Sequence, residues 1–118
     1  MKPQRHGVTR IINATKYSLQ GLRYAWKSES AFREEVVISF FLIISAFFLG
    51  DDNIEIALMI GTCLFVVIVE IINSAIEAVV DRAGTEHNAL AGAAKDMGSA
   101  AVMLSIIILI ITWGLLLI

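Results

Sequence analysis

A chain of 118 residues has room for one domain, and 58% apolar against 17% charged residues excludes an ordinary soluble domain of that length and indicates a membrane protein. The net charge of −2 hides an uneven distribution, because Lys2, Arg5, Arg10, Lys16, Arg23, Lys27 and Arg33, seven of the nine Lys and Arg, precede the first apolar run. The single cysteine, Cys63, lies inside an apolar run, so there is neither a disulfide framework nor a cysteine zinc pattern. The N-terminus shows no signal-peptide core and cleavage site, and the first span is expected to direct insertion itself.

Residues 5–27 are predicted to form an amphipathic surface helix. Val8, Ile11, Ile12, Thr15, Leu19, Leu22 and Trp26 lie within about 60° of one line on a helical wheel, and Arg10, Lys16, Gln20, Arg23 and Lys27 lie off it. A basic face opposite Trp and Leu suits the membrane interface; packing wholly on protein is the alternative. Ser28 or Ser30 punctuates the chain before a first span over about 29–49. The entrance of that span carries Glu29, Arg33, Glu34 and Glu35, where acidic groups suit a helix N-terminus and Glu29 is spaced to pair with Arg33. Its apolar part, 36–49, covers only about 21 Å, so the helix is expected to start upstream. Gly50-Asp51-Asp52-Asn53 reads as a turn.

A second span is predicted over about 54–81, ended by Arg82-Ala83-Gly84 with Gly84 as a C-terminal cap. A third follows over about 93–118. Its Trp113 is expected to anchor the far interface, and Gly92, Gly98 and nearby alanines would let helices approach closely. The N-terminal segment holds seven basic residues, the 50–55 turn none and the 82–96 connection two. The positive-inside rule then puts the N-terminus and second connection in the cytoplasm, and the turn and C-terminus outside. The expected fold is one all-α membrane domain over 1–118.

The densest polar signal falls in the second span. Glu70, Asn73, Ser74, Glu77 and Asp81 lie at about 0°, −60°, 40°, −20° and 20° on the wheel, one stripe of a helix otherwise built of Ile, Val and Ala. About 20 residues for a crossing puts the far interface near 75–77, with Glu70 roughly 10 Å inside it and Asp81 outside. A carboxylate at that depth is costly and reads as a functional site facing protein or water; interhelical hydrogen bonding is the structural alternative.

The chain carries no phosphate-binding G-x-x-x-x-G-K-[ST] loop, no H-E-x-x-H and no nucleophile elbow. His6 and His87 sit in polar segments and read as solvated, and the membrane interface explains the basic N-terminus better than a nucleic acid does. What remains is the carboxylate set with Lys95-Asp96. Oxygen ligands favour Mg²⁺, held by one or two acids plus substrate phosphates. A lysine supplies a point charge for phosphate, and a carboxylate deeper in the stripe could take a proton from a lipid hydroxyl. These parts fit phosphoryl transfer from Mg·ATP to a lipid alcohol. A proton- or ion-conducting membrane oligomer competes with that reading closely.

E-I-I-N-S-A-I-E-A-V-V-D-R at 70–82 and A-A-K-D-M-G-S-A-A-V at 93–102, with T-R-I-I-N-A, G-L-R-Y-A-W and E-S-A-F-R-E-E before them, resemble the prokaryotic diacylglycerol kinases. The likeness runs from about residue 7 to 113. It implies a homotrimer of three transmembrane helices and one surface helix per chain, with sites shared between subunits, in the bacterial inner membrane. It also implies ATP- and Mg²⁺-dependent phosphorylation of diacylglycerol to phosphatidic acid. By motif, Glu70 is similar to the catalytic base and Glu29 and Glu77 to the metal-binding carboxylates. Arg10, Tyr17, Glu29, Glu77, Glu86, Lys95 and Asp96 are the expected nucleotide contacts. Arg10, Arg23, Trp26, Glu70, Ser99 and Trp113 are the expected lipid contacts, with Asn73 and Asp81 in support. Asn73 as interhelical glue and Asp81 as a helix end paired with Arg82 are the structural alternatives. Glu86-His87-Asn88 stands where the family pattern is Glu-Tyr-His, so no contact is carried to His87 or Asn88, and Arg33-Glu34-Glu35 replaces Arg-Gln-Glu. A related branch that phosphorylates undecaprenol usually reads L-E-L-L-N-T-A-I-E. Ser74 and Met97-Gly98-Ser99 are more similar to the diacylglycerol branch.

Overall fold

Four helices make up the regular structure of the described residues, 6–83 and 89–118 of the computed structural model: α1 (Gly7–Ser28), α2 (Ser30–Leu49), α3 (Asn53–Arg82) and α4 (Ala89–Leu117). A single extended residue, Glu29 (φ −118°, ψ 105°), separates α1 from α2, so neither Ser28 nor Ser30 makes the break. Arg33 holds it. Its Nη1 donates to the carbonyls of Trp26 at 2.7 Å and Lys27 at 3.1 Å, acceptors that the end of α1 leaves without helical partners. The guanidinium thus serves the end of α1 in place of the expected pair with Glu29.

The next turn is closed by local chemistry. The Gly50 N–H reaches the Ala46 carbonyl at 2.9 Å, and a Cβ at residue 50 would meet Ile56 Cγ1 at 2.6 Å, so only glycine lets the chain turn this tightly. Asp52 caps α3 by accepting from the Glu55 N–H at 2.9 Å, and Glu55 Oε1 reaches back to the Asp51 N–H at 3.2 Å. The exchange works like a capping box. Gly84, expected to cap the other end of α3, lies outside the described residues; Ala83 follows the last helical residue in a helical conformation.

Burial follows a heptad spacing in three helices. α2 buries Phe32, Ser39 and Ala46; α3 buries Met59, Cys63, Val66, Glu70, Asn73 and Ser74; α4 buries Gly98, Ser105 and Trp113. Steps of three and four keep such residues on one face and produce nearly parallel or antiparallel packing. α3 packs against both α2 and α4, whose small Ser39, Ala46, Gly98 and Ser105 admit close approach. Gly92, expected to do the same, has no neighbour within 4 Å of a notional Cβ among the described residues.

Ala46, Met59, Cys63 and Trp113 form the core, with Leu42, Ile43, Ile60, Leu109 and Leu116 around it. Trp113 is therefore not an interface anchor. It is 9% exposed, and its indole N–H donates to the Met59 carbonyl at 3.2 Å and Thr62 Oγ1 at 3.1 Å. A tryptophan seeks an interface to keep its N–H satisfied; here α3 satisfies it inside.

Both α3 and α4 are long and apolar enough to cross a membrane. α2 has 20 residues, about 30 Å of helix, with three charges in its first two turns. On α1, Val8, Ile11, Ile12, Leu19 and Leu22 are exposed, and only Ala25 is buried. Among the described residues nothing covers the apolar side of the first helix.

Candidate active site

Towards the C-terminal end of α3 the buried face changes character. Met59, Cys63 and Val66 give way, on the same seam, to Glu70, Asn73 and Ser74, of which Glu70 is 5% exposed. Glu77 is half-buried and Asp81 exposed, so the polar stripe runs from the helix-packed interior out to solvent. Asn73 Nδ2 donates to Glu77 Oε1 at 3.0 Å, one turn along. A carboxylate only accepts, which fixes the amide orientation and turns Asn73 Oδ1 towards α4.

Other elements bring charge to the same end. Glu29, at the α1–α2 break, and Glu77 both act electrostatically on Glu70, and Glu70 acts on Glu35 of α2. Carboxylates from three parts of the chain are thus neighbours. Mutual repulsion in such a group is relieved by a cation or by protons. Among the described residues no three His, Cys, Asp or Glu are arranged to hold a metal. A Mg²⁺ ion bound through one or two carboxylates, with phosphate and water completing its shell, needs no such cage. The donor chemistry of Glu29 and Glu77, hard carboxylate oxygens that are both partly exposed, fits that ion.

Lys95 Nζ meets Asp81 Oδ1 at 2.6 Å, joining the end of α3 to the beginning of α4. Asp81 therefore pairs across the helices rather than with Arg82. Glu77 also acts on Lys95, which places one cation beside the acidic group. Both side chains of the pair are well exposed, and an exposed pair contributes little to stability, so Lys95 is free to exchange Asp81 for an incoming anion. Asp96 and Ser99 are exposed on α4.

The structure thus gathers Glu29, Glu70, Asn73, Glu77, Asp81 and Lys95. It leaves Arg10, Arg23 and Trp26 on the exposed surface of α1 and Tyr17 half-buried there, with Arg10 lining a shallow groove beside Ile11, Ala14, Thr15 and Ser18. Trp113 lies about 27 Å along α4 from Lys95, in the core at the other end. Glu86 falls outside the described residues.

One participant escaped sequence reasoning. Glu35 looked like part of a charged helix entrance, yet its Oε2 is buried and, with Asn73 Oδ1, is one of two buried side-chain polar atoms without a hydrogen-bond partner among the described residues. The signal lay in the phase of α2: Glu35 stands three residues after Phe32 and four before Ser39, on the buried seam, whereas Glu34 points away.

Residues 16–117 match the family model for prokaryotic diacylglycerol kinase. This chain belongs to that family. It is 54% identical over 108 residues to a diacylglycerol kinase of Haemophilus influenzae, covering 92% of each chain. It is 54% identical over 111 residues to one of Escherichia coli K12, covering 94% of this chain and 91% of the relative. A diacylglycerol kinase of Pseudomonas aeruginosa is 48% identical over 108 residues, covering 92% of this chain and 88% of the relative.

Proposed function

We propose that this protein phosphorylates diacylglycerol to phosphatidic acid, using ATP and Mg²⁺, at the cytoplasmic face of the bacterial inner membrane. The observation that carries this reading is the clustering of buried Glu70 with Glu77 and Glu29, and of Lys95 with Glu77 and Asp81, at one end of α3, in a chain of this family. α2, α3 and α4 cross the membrane in this reading, with the N-terminus cytoplasmic and the C-terminus periplasmic. α1 lies in the interface, its uncovered apolar side in lipid, and three copies assemble.

Glu70, held among packed helices, accepts the proton of the lipid's primary hydroxyl. The freed oxygen attacks the γ-phosphorus of ATP in line, the bond from γ-phosphorus to the β,γ-bridging oxygen breaks, and ADP leaves. Lys95 moves from Asp81 to a phosphate oxygen, where a point charge offsets the charge spread over the transferred group. Glu29 and Glu77 would hold Mg²⁺, whose chemistry when bound is to neutralise the phosphate oxygens. Arg10, Tyr17, Glu86 and Asp96 flank the nucleotide. Arg10, Arg23, Trp26 and Ser99 face the lipid that enters from the bilayer, and Trp113 supports the far end of the helices by packing.

The test is phosphate transfer from labelled ATP in mixed micelles offering diacylglycerol and undecaprenol side by side. Phosphatidic acid is the expected dominant product, lost in Glu70→Gln. Dominant undecaprenyl phosphate would move the protein to the other branch. No transfer, together with nucleotide-independent ion flux in liposomes, would overturn the kinase reading in favour of an ion pathway.

A further inference from the structure

Asn73 is an odd choice for the middle of a long apolar helix. It is a weak helix former, it is buried, and it brings two polar groups of which only one is satisfied. Nδ2 donates to Glu77 at 3.0 Å, and Oδ1 is buried without a partner. The reason the oxygen sits there is on the facing helix. Gly98 is buried against it, and a Cβ built on Gly98 would overlap Asn73 Oδ1 and lie 3.2 Å from Asn73 Cγ. Glycine is likewise a poor helix residue, and here its missing side chain is the space the amide occupies. The two unfavourable local choices fit each other, one on α3 and one on α4.

We infer that Gly98 is a positioning residue for phosphoryl transfer, acting through Asn73 on Glu77. The bare backbone of α4 at Gly98 seats the carboxamide oxygen. The amide nitrogen is then aimed at Glu77 Oε1, and that hydrogen bond leaves Glu77 with one oxygen committed and the other free for the metal. Outer partners of a metal carboxylate control its orientation, and losing one typically weakens metal affinity or activity about 10–100-fold. The inference rests on the proposed role of Glu77 as a Mg²⁺ ligand.

The experiment measures, in wild type, Asn73→Ala, Gly98→Ala and the double variant, the Mg²⁺ concentration for half-maximal phosphorylation of diacylglycerol and, without lipid, the affinity for Mn²⁺ read by electron paramagnetic resonance, the two being expected to shift together. Helicity and oligomer size are checked for each. Wild type that transfers no phosphate to diacylglycerol would sink the kinase reading itself, before any variant is compared. Given an active wild type, Gly98→Ala is expected to raise the Mg²⁺ requirement at least about tenfold, with saturating Mg²⁺ recovering much of the turnover. Asn73→Ala should do the same. The double variant should match Asn73→Ala alone, because the new methyl group at 98 then enters space the amide has vacated. A structural fault in helix packing would lower turnover without moving the Mg²⁺ requirement. An unchanged Mg²⁺ requirement in well-assembled Gly98→Ala overturns the inference. So do losses that simply add in the double variant. Should Gly98→Ala fail to assemble, the double variant decides: it must assemble and match Asn73→Ala, and failure in either respect overturns the proposal.

Discussion

Glu77 sits between two partners that ask different things of it: the Asn73 amide at 3.0 Å and, in the proposed reaction, a divalent cation. Replacing its carboxylate by an amide keeps the shape and removes the charge the cation needs. Glu77→Gln is therefore expected to raise the Mg²⁺ requirement about 10–100-fold while the helices stay assembled; activation at wild-type Mg²⁺ would remove Glu77 from the metal site. Glu70 is more deeply buried than Glu77, and in the proposed reaction that burial separates their roles. A carboxylate that is 5% exposed is shielded from bulk water and suited to taking one proton from a bound hydroxyl, whereas the half-buried Glu77 can meet an ion arriving from solvent. Both residues were legible in the linear pattern as members of one polar stripe. The roles proposed for them came from the family resemblance and from the depth expected for Glu70; the closure of the stripe's inner end by packed helices was not legible, because the spacing is the same whether that end is buried or open.

At the scale of elements, α3 is the organiser. Its seam is apolar where it meets Ala46 of α2 and Trp113 of α4, and polar where it meets Gly98 and the entrance of α2. The apolar half supports the polar half by fixing the register of three helices. Trp113 ties α4 into that register, since its indole N–H reaches two acceptors on α3. Trp113→Phe removes the donor and keeps most of the ring, so a loss of about 1–2 kcal/mol is expected, read as a lower midpoint in thermal or denaturant unfolding. An unchanged midpoint with a raised KM for diacylglycerol would instead give Trp113 the lipid contact that the family resemblance implies. Hydropathy placed Trp113 near the end of an apolar run, and at such a position an interface and a neighbouring helix offer the indole N–H equivalent partners.

For the molecule as a whole, apolar surface is the dominant fact. Phe40, Phe41, Phe47 and Phe48 on α2 and Leu104, Ile110 and Ile111 on α4 are all exposed, as is the apolar side of α1. A surface of this kind requires lipid or further copies of the chain to cover it. In the proposed topology a cysteine introduced at His6 reacts with a membrane-impermeant thiol reagent only from the cytoplasmic side, and one introduced at Ile118 only from the periplasmic side. Cys63 is fully buried and serves as a silent background. Labelling of both positions from one side would mean an even number of crossings, and α2 would then lie outside the membrane.

The linear pattern by itself determined the helical class, the basic N-terminal segment and the polar stripe from Glu70 to Asp81. Composition, charge asymmetry and a 3.6-residue period are local properties that survive without knowledge of neighbours. The tertiary structure decided what depends on two elements meeting. It turned Arg33 from Glu29 to the carbonyls of α1, took Asp81 from Arg82 to Lys95, buried Trp113, brought Glu35 onto the seam beside Glu70 and set Gly98 against Asn73. Arg33, Asp81 and Trp113 each had two chemically acceptable partners within reach of their sequence positions. Helix packing chose between them, because the register of one helix on another sets distances that no spacing within a single helix encodes.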